Sequence, residues 1–340
     1  MGRTWEDSSL IWETGAVESC LRSEATFLKN IDHRIVLTGP EFEGTFFRPE
    51  AMALVERRLP EALRDAARMR VFASSRKIGR PGRIVETALD LWFGDVREDP
   101  ESGGTAITAR VPTLGDAAPQ IFDQGVLWDD GLRKEDTVFD LLGDVVNDVR
   151  RQNRDSNRYD QALLRRLRRV LPEGTDTVQF VSPRYHERPV LVDEDLTEAA
   201  DRLAAETPPD VRTRVVGKLE AMFFDSRAFR LVLDNGVRFR GLWVPDDPEP
   251  LHTLWGKRVL LEGRVKFKPT GAPLGIEAEA IRPAVERDAL WAAVPQPRLV
   301  SSPPSPIALS AERNPLAAIW GLLADEGSDE QFLQELEAMS

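Results

Sequence analysis

The sequence predicts an α+β amino-terminal domain, then an all-β five-stranded OB-like small barrel, then a helical carboxy-terminal tail. Three observations predict it. Five alternating apolar runs between residues 211 and 283 follow the order β-β-β-α-β-β. Ahead of them, short apolar runs mix with longer stretches of helical spacing, and Pro208-Pro209 separates the two regions. Behind them, a proline-rich stretch leads into two short amphipathic segments. The predicted organisation is an arm over 1–30, an α+β domain over 31–209, the barrel over 210–284, a linker over 285–314 and an acidic tail over 315–340.

In the first domain, residues 34–38 (RIVLT) form a strand stopped by Gly39-Pro40. A helical pattern starts at Pro49, with Met52, Leu54, Val55, Leu59 and Leu63 at helical spacing, and Pro60 predicts a split into two helices. Residues 69–73 read as a strand, and the runs 84–96 and 105–111 read as a hairpin joined past Gly103-Gly104. Residues 137–151 and 159–171 are helices, with Asp136 and Asp160 placed for capping or dipole charge. Strands at 177–181 and 190–192 and a helix at 196–205 complete a mixed α+β domain.

The barrel runs are 214–222, 228–233, 237–243, 257–267 and 274–281, with a short helix within 248–255. Asp234-Asn235-Gly236 joins the second and third, and Asn-Gly between alternating runs predicts a tight primed turn with positive φ at both centres. Gly217, Gly241 and Gly263 fall mid-strand, where a small barrel needs coiling or close backbone approach. Alternation sends Phe229, Leu231, Leu233, Val237, Phe239, Trp243, Val259, Leu261, Val265 and Phe267 inward. It sends Arg230, Arg238, Arg240, Arg264 and Lys266 outward, with Arg214 and Lys218 on the first strand. These five outward cations are the candidate nucleic-acid contacts. Base-stacking OB surfaces carry outward aromatics, whereas here the aromatics take the inward parity and Glu262, Glu277 and Glu279 stand ready to pair with the arginines.

Residues 294–314 hold five prolines between Pro295 and Pro306, a composition of extended tether. Asn314-Pro315 then starts a helix with Leu316, Ile319, Trp320 and Leu323 on one face. Ser328 through Gln331 has the form of a capping box, followed by Phe332, Leu333, Leu336 and Met339. Between Asp325 and Glu337 there are six acidic residues and no basic one.

Of the 340 residues 41% are hydrophobic and 30% charged, a globular composition. The net charge of −12 opposes a protein that coats nucleic acid. It is uneven: residues 211–283 hold 13 Lys/Arg against 9 Asp/Glu, a balance of +4 that leaves −16 elsewhere. A single cysteine, Cys20, excludes an internal disulfide and a thiolate metal cage. The polar, acidic start and a longest apolar run of nine residues predict no signal peptide and no membrane span, hence a cytoplasmic protein.

His33, His186 and His252 lie far apart, in no metal-ligand spacing, and read as surface or packed residues. No Gly-x-Ser-x-Gly elbow or phosphate loop occurs, and Asp193/Glu194/Asp195 and Asp246/Asp247 are explained by a helix start and a loop. No enzymatic activity, cofactor or metal is expected. The basic loop with Arg76, Lys77, Arg80 and Arg83 contains Gly-Arg-Pro, a form of minor-groove hook, although a solvated hairpin entry is the simpler reading. Residues 150–169 hold eight arginines against two aspartates, read chiefly as partners for the acidic remainder of the chain.

The tail, Ala318-Ile319-Trp320-Gly321 through Asp325-Glu326-Gly327-Ser328-Asp329-Glu330-Gln331-Phe332-Leu333-Gln334-Glu335-Leu336, resembles the carboxy-terminal tails of small bacterial type II antitoxins. Leu322-Leu323-Ala324 stands where those tails have a Pro-Gly neighbourhood, and no small DNA-binding domain precedes it. Residues 105–124 and 137–167, with the barrel, resemble larger, uncharacterised bacterial proteins that end in such tails. The resemblance implies a non-enzymatic, antitoxin-like protein whose tail binds and inhibits a partner such as a ribonuclease toxin. The partner-binding residues expected are Leu316, Ile319, Trp320, Phe332, Leu333 and Leu336. Helix-in-groove binding by an acidic amphipathic helix supports the same reading on physical grounds. The alternative is an OB-type nucleic-acid-binding protein using the barrel arginines.

Overall fold

The structure, a computed structural model of the chain, describes residues 30–76, 83–123, 131–182, 184–223, 227–294 and 297. The chain divides into two compact units, Met1–Arg298 and Leu299–Ser340, and every described residue belongs to the first. The predicted arm before residue 30, residues 295, 296 and 298–314 of the predicted 285–314 linker and the six tail residues Leu316, Ile319, Trp320, Phe332, Leu333 and Leu336 lie outside the described residues.

The chain runs through β1 (Asn30–Thr38), the small hairpin β2 (Phe42–Glu43) and β3 (Phe46–Phe47), α1 (Pro49–Phe72), α2 (Arg83–Ala88), β4 (Trp92–Glu98) and β5 (Thr105–Pro112). It continues through α3 (Leu114–Ala117), α4 (Gln120–Asp123), α5 (Val138–Arg150), α6 (Gln161–Leu167), β6 (Thr177–Val181), β7 (Val190–Val192) and α7 (Glu194–Glu206). The strands make an antiparallel sheet in the order β4-β5-β1-β6-β7. Ile35, Leu37, Ile107, Ala109, Val111, Val178 and Phe180 join the helices in one buried core with Leu59, Leu63, Val145, Leu164 and Leu203. Helices packed on an antiparallel sheet give the α+β architecture that the sequence predicts ahead of the barrel.

Three local expectations are corrected. Pro60 does not split its helix: α1 runs unbroken for 24 residues. Apolar residues on both sides of Pro60, namely Val55, Leu59, Ala62, Leu63 and Ala66, are buried in the same core, and that burial outweighs the lost backbone hydrogen bond. Residues 69–72, expected as strand, are the last turn of α1. The helix ends at Ala73, left-handed at φ 55°, whose N–H donates to the Met69 carbonyl at 3.1 Å. Residues 84–88, expected at the start of a hairpin strand, are helical, and the hairpin is β4–β5 alone. Of the two aspartates expected for capping or dipole charge, Asp160 caps α6, accepting from the Leu163 N–H at 2.9 Å, and Asp136 stands at the amino end of α5. Thr137 rather than Asp136 caps α5, and its N–H donates to the Asp140 carboxylate at 2.7 Å.

His33 is buried in the core, stacked on Phe139 at 4.4 Å, with its Nδ1 3.1 Å from the Val181 carbonyl. Burial pushes its pKa below the ordinary value of 6.5, against the pull of the Val181 carbonyl and Asp140. The folded protein therefore resists a proton that the unfolded chain accepts. The stabilisation is complete above the unfolded pKa and falls away as the pH drops below about 6.5. His33→Leu should flatten this dependence. Thermal melts between neutral and mildly acid pH should show the wild type losing more than the variant; equal losses would mean His33 titrates normally.

After Thr207–Asp210 the chain enters β8 (Val211–Phe223), β9 (Ala228–Leu233), β10 (Arg238–Trp243), α8 (Glu249–Thr253), β11 (Arg258–Phe267) and β12 (Pro273–Pro283). These strands close into a barrel in the order β10-β12-β11-β8-β9, with β10–β12 the parallel pair. The short helix sits between the third and fourth strands, as the sequence predicts. Phe229, Leu231, Leu233, Phe239, Trp243, Val259, Leu261, Val265 and Phe267 fill the interior. Val237, expected inside, is 47% exposed because the turn before β10 keeps it out of the ladder. That turn also differs from the expectation: only Gly236 has positive φ, at 78°. Leu233 N–H bonds Val237 O at 2.9 Å and Gly236 N–H bonds Leu233 O at 2.8 Å, a three-residue loop closed by left-handed glycine. Gly241 admits the Phe229 ring: a Cβ there would stand 2.0 Å from its edge. Residues 286–291 form a 3-10 turn held by Arg282 and Asp288 at 2.7 Å.

Candidate functional site

The barrel exterior is where the sequence places a nucleic-acid surface. Arg230, Arg238, Arg240 and Arg264 do stay outside the core, at partial to full exposure. Their charge is largely answered from neighbouring strands. Arg230 Nε lies 2.6 Å from Glu220, and Arg238 approaches the same carboxylate at 3.9 Å. Arg264 meets Glu279 at 3.8 Å, Arg212 meets it at 2.9 Å, and Arg214 meets Glu262 at 3.4 Å. Arg240 faces Arg230 across the β9–β10 pair. Exposed pairs of this kind add about 0–1 kcal/mol each to stability. Their larger consequence is electrostatic: the glutamates cancel most of the field a phosphate backbone would feel.

Lys266 corrects the expectation. It keeps its outward parity on β11, yet it is 4% exposed, because what lies outside the barrel there is the α+β domain. Its ammonium contacts Glu277 at 2.6 Å, Ser74 Oγ at 2.7 Å and Asp160 at 3.1 Å. Asp160 also accepts from the Ser75 hydroxyl at 2.5 Å and the Ser75 N–H at 3.1 Å, and Ser74 donates to Glu277 at 2.8 Å. Burial alone would lower the Lys266 pKa, but Asp160 and Glu277 outweigh it and hold the ammonium above its ordinary range. Burial would raise Asp160, but Lys266 and the donors from Ser75 and Leu163 hold it down. A serine beside a neutral lysine would be a nucleophile pair. Here the lysine is held protonated and the Ser74 hydroxyl donates its hydrogen bond to Glu277, and the cluster ties barrel to domain through ion pairs. Lys268, next on the same side, reaches Asp155 at 2.9 Å.

A second buried network lies along α5, where Asp140, Asp144 and Asp148 recur every fourth residue on one helix face, with Asp136 just ahead of the Thr137 cap. Arg184 bridges Asp136 and Asp144, the latter at 2.8 Å, and the fully buried Arg70 approaches Asp144 at 3.7 Å. Ser182 donates to Asp140 and Ser156 to Asp148, each at 2.6 Å, and Arg158 reaches Asp148 at 3.3 Å. Tyr185 donates to Asp144 at 2.6 Å; burial and that carboxylate push its pKa up to about 12. The carboxylates are thus taken up by donors of the same domain, a polar network that fixes how α1, α5 and the β6–β7 connection meet. The four-residue spacing of Asp140, Asp144 and Asp148 is visible in the sequence, whereas the donors that meet them come from distant segments.

The remaining expectations find plain places. Arg150, Arg154, Arg158, Arg166 and Arg168 pair with Asp193, Glu206, Asp148, Asp65 and Asp201. Arg76 pairs with Asp210 at 3.7 Å, while residues 77–82 of the basic loop lie outside the described residues. Asp193 caps α7, accepting from Leu196 N–H at 3.0 Å. His186 is exposed, and His252 lies 3.7 Å from Glu249. Among the described residues no group of three or more His, Cys, Asp or Glu is placed to hold a metal ion, and no helix is long and apolar enough to cross a membrane. The outer face of the sheet carries a groove of about 980 Å³ between β1, β4 and β5. Its charges close on themselves, with Arg110 on Asp32 at 2.6 Å and Arg97 on Asp95 at 2.8 Å. No protein-family model, curated protein or solved structure matches this chain.

Proposed function

We propose that this chain is a non-enzymatic, antitoxin-like binding protein, whose acidic tail over residues 315–340 captures and inhibits a basic partner such as a ribonuclease toxin. The observation that carries the reading is the tail itself: Leu316, Ile319 and Trp320, then Phe332, Leu333 and Leu336, at helical spacing among six acidic residues, on a proline tether. The pairing of barrel arginines with barrel glutamates supports it, because arginines already held by glutamates are less free to draw the acidic tail away from a basic partner. A reducing, cytoplasmic setting fits a chain with one cysteine. Trp320 is the anchor: large aromatics seated in a pocket carry about 2 kcal/mol or more of an interface. With the partner identified by capture on the whole chain and then purified, Trp320→Ala should weaken its binding about 30-fold, the equivalent of about 2 kcal/mol. Unchanged affinity would remove the tail from the interface.

A second reading, OB-type nucleic-acid binding, is favoured by the barrel's strand order and by the exposed Arg238 and Arg264. It calls for loss of binding on replacing those two arginines.

A further inference from the structure

Away from the barrel, a groove of about 700 Å³ between α6 and α7 is lined by Arg165, Arg168 and Arg169, with Asp201, Ala204 and Ala205 along its α7 side. All three arginines are exposed. Arg168 has one carboxylate partner, Asp201 at 3.4 Å, while Arg165 and Arg169 have no ion-pair partner among the described residues. This sets them apart in a chain of net charge −12, where most neighbouring arginines are paired.

The spacing i, i+3, i+4 places the three guanidinium groups on one side of the α6 end, where like charges repel. The carboxyl end of a helix favours a cation, but Arg166 already supplies one in the last turn while pairing with Asp65 at 3.0 Å. Three further cations exceed what the helix dipole asks for. The alanines leave the groove floor open, and no aromatic side chain lines it, so a ligand would be held by its anionic groups rather than by stacked bases. Guanidinium groups bind phosphate oxygens in bidentate fashion.

We propose that the α6–α7 groove binds the phosphodiester backbone of a nucleic acid, without base recognition, at a site separate from the barrel face. The test is fluorescence anisotropy of a labelled single-stranded oligonucleotide against the full-length protein over a salt series, with Arg165→Gln/Arg168→Gln/Arg169→Gln, Asp201→Asn and Arg230→Gln/Arg238→Gln/Arg264→Gln for comparison. Three phosphate contacts on a single strand should weaken binding about 20-fold between roughly 50 and 200 mM salt. The α6 triple variant should lose about tenfold in affinity at the lower salt and most of that slope. Asp201→Asn, which frees Arg168, should bind more tightly, a gain that misfolding cannot mimic. The barrel triple variant should bind as the wild type does. An α6 variant that melts normally and binds equally well overturns the proposal. So does a wild type that ignores the oligonucleotide but binds polyglutamate, which would make the groove a seat for acidic protein.

Discussion

Lys266→Ala should destabilise the protein by about 3–5 kcal/mol, because it leaves Asp160 and Glu277 buried beside each other without their shared cation. The effect should appear as a large shift in the denaturant midpoint. Lys266→Met combined with Asp160→Asn and Glu277→Gln should recover much of it, since the penalty comes from the uncompensated carboxylates rather than from the missing pair. A double-mutant cycle between Lys266 and Glu277 would measure the coupling directly. A single Lys266→Ala change worth less than about 1 kcal/mol would mean that water reaches the cluster and the barrel is not clamped to the domain.

Phe239→Ala should cost about 3–5 kcal/mol as a cavity in the barrel core, where the ring is 2% exposed among Phe229, Leu231 and Trp243. Calorimetry or urea unfolding would read it. A melting temperature equal to the wild type would place Phe239 outside the core and invert the barrel register, because a one-residue slip exchanges the two faces.

The barrel was legible because its strands obey a two-residue period with large apolar residues on one parity. Phe229, Phe239, Val259 and Phe267 are all inside for that reason. Lys266 shows where parity stops: alternation tells which side of a strand a residue occupies, not what covers that side. Only the fold brings Ser74, Asp160 and Glu277 to it, from positions 106 to 192 residues away for the first two. Val237 erred for a related reason, since it belongs to the turn although it continues the strand pattern.

In the α+β domain, sequence expectation and structure part where local chemistry and burial disagree. Pro60 forbids a helix locally, yet the apolar residues on either side of it share one core face, and α1 passes through. Residues 69–72 look β-like over four residues but belong to a helix whose phase is set twenty residues earlier. The sequence predicts that the arginines of residues 150–169 serve chiefly as partners for the chain's own acids. Five of the eight are, whereas Arg151, Arg165 and Arg169 are in no ion pair among the described residues, and the last two line the α6–α7 groove that carries a binding proposal. Asp140, Asp144 and Asp148 of α5 stand at spacing four in the sequence, but spacing alone does not show their burial, because Arg158, Ser182 and Arg184 reach them from other segments.

The most direct measurement on the proposed function compares the whole chain with a version lacking residues 310–340, reading partner capture and thermal melting on the same samples. If the tail is the binding element, the shortened chain captures nothing while its melting temperature stays with that of the whole protein. A shortened chain that keeps the partner and melts several degrees lower would contradict that reading, because the tail would then be part of its own core.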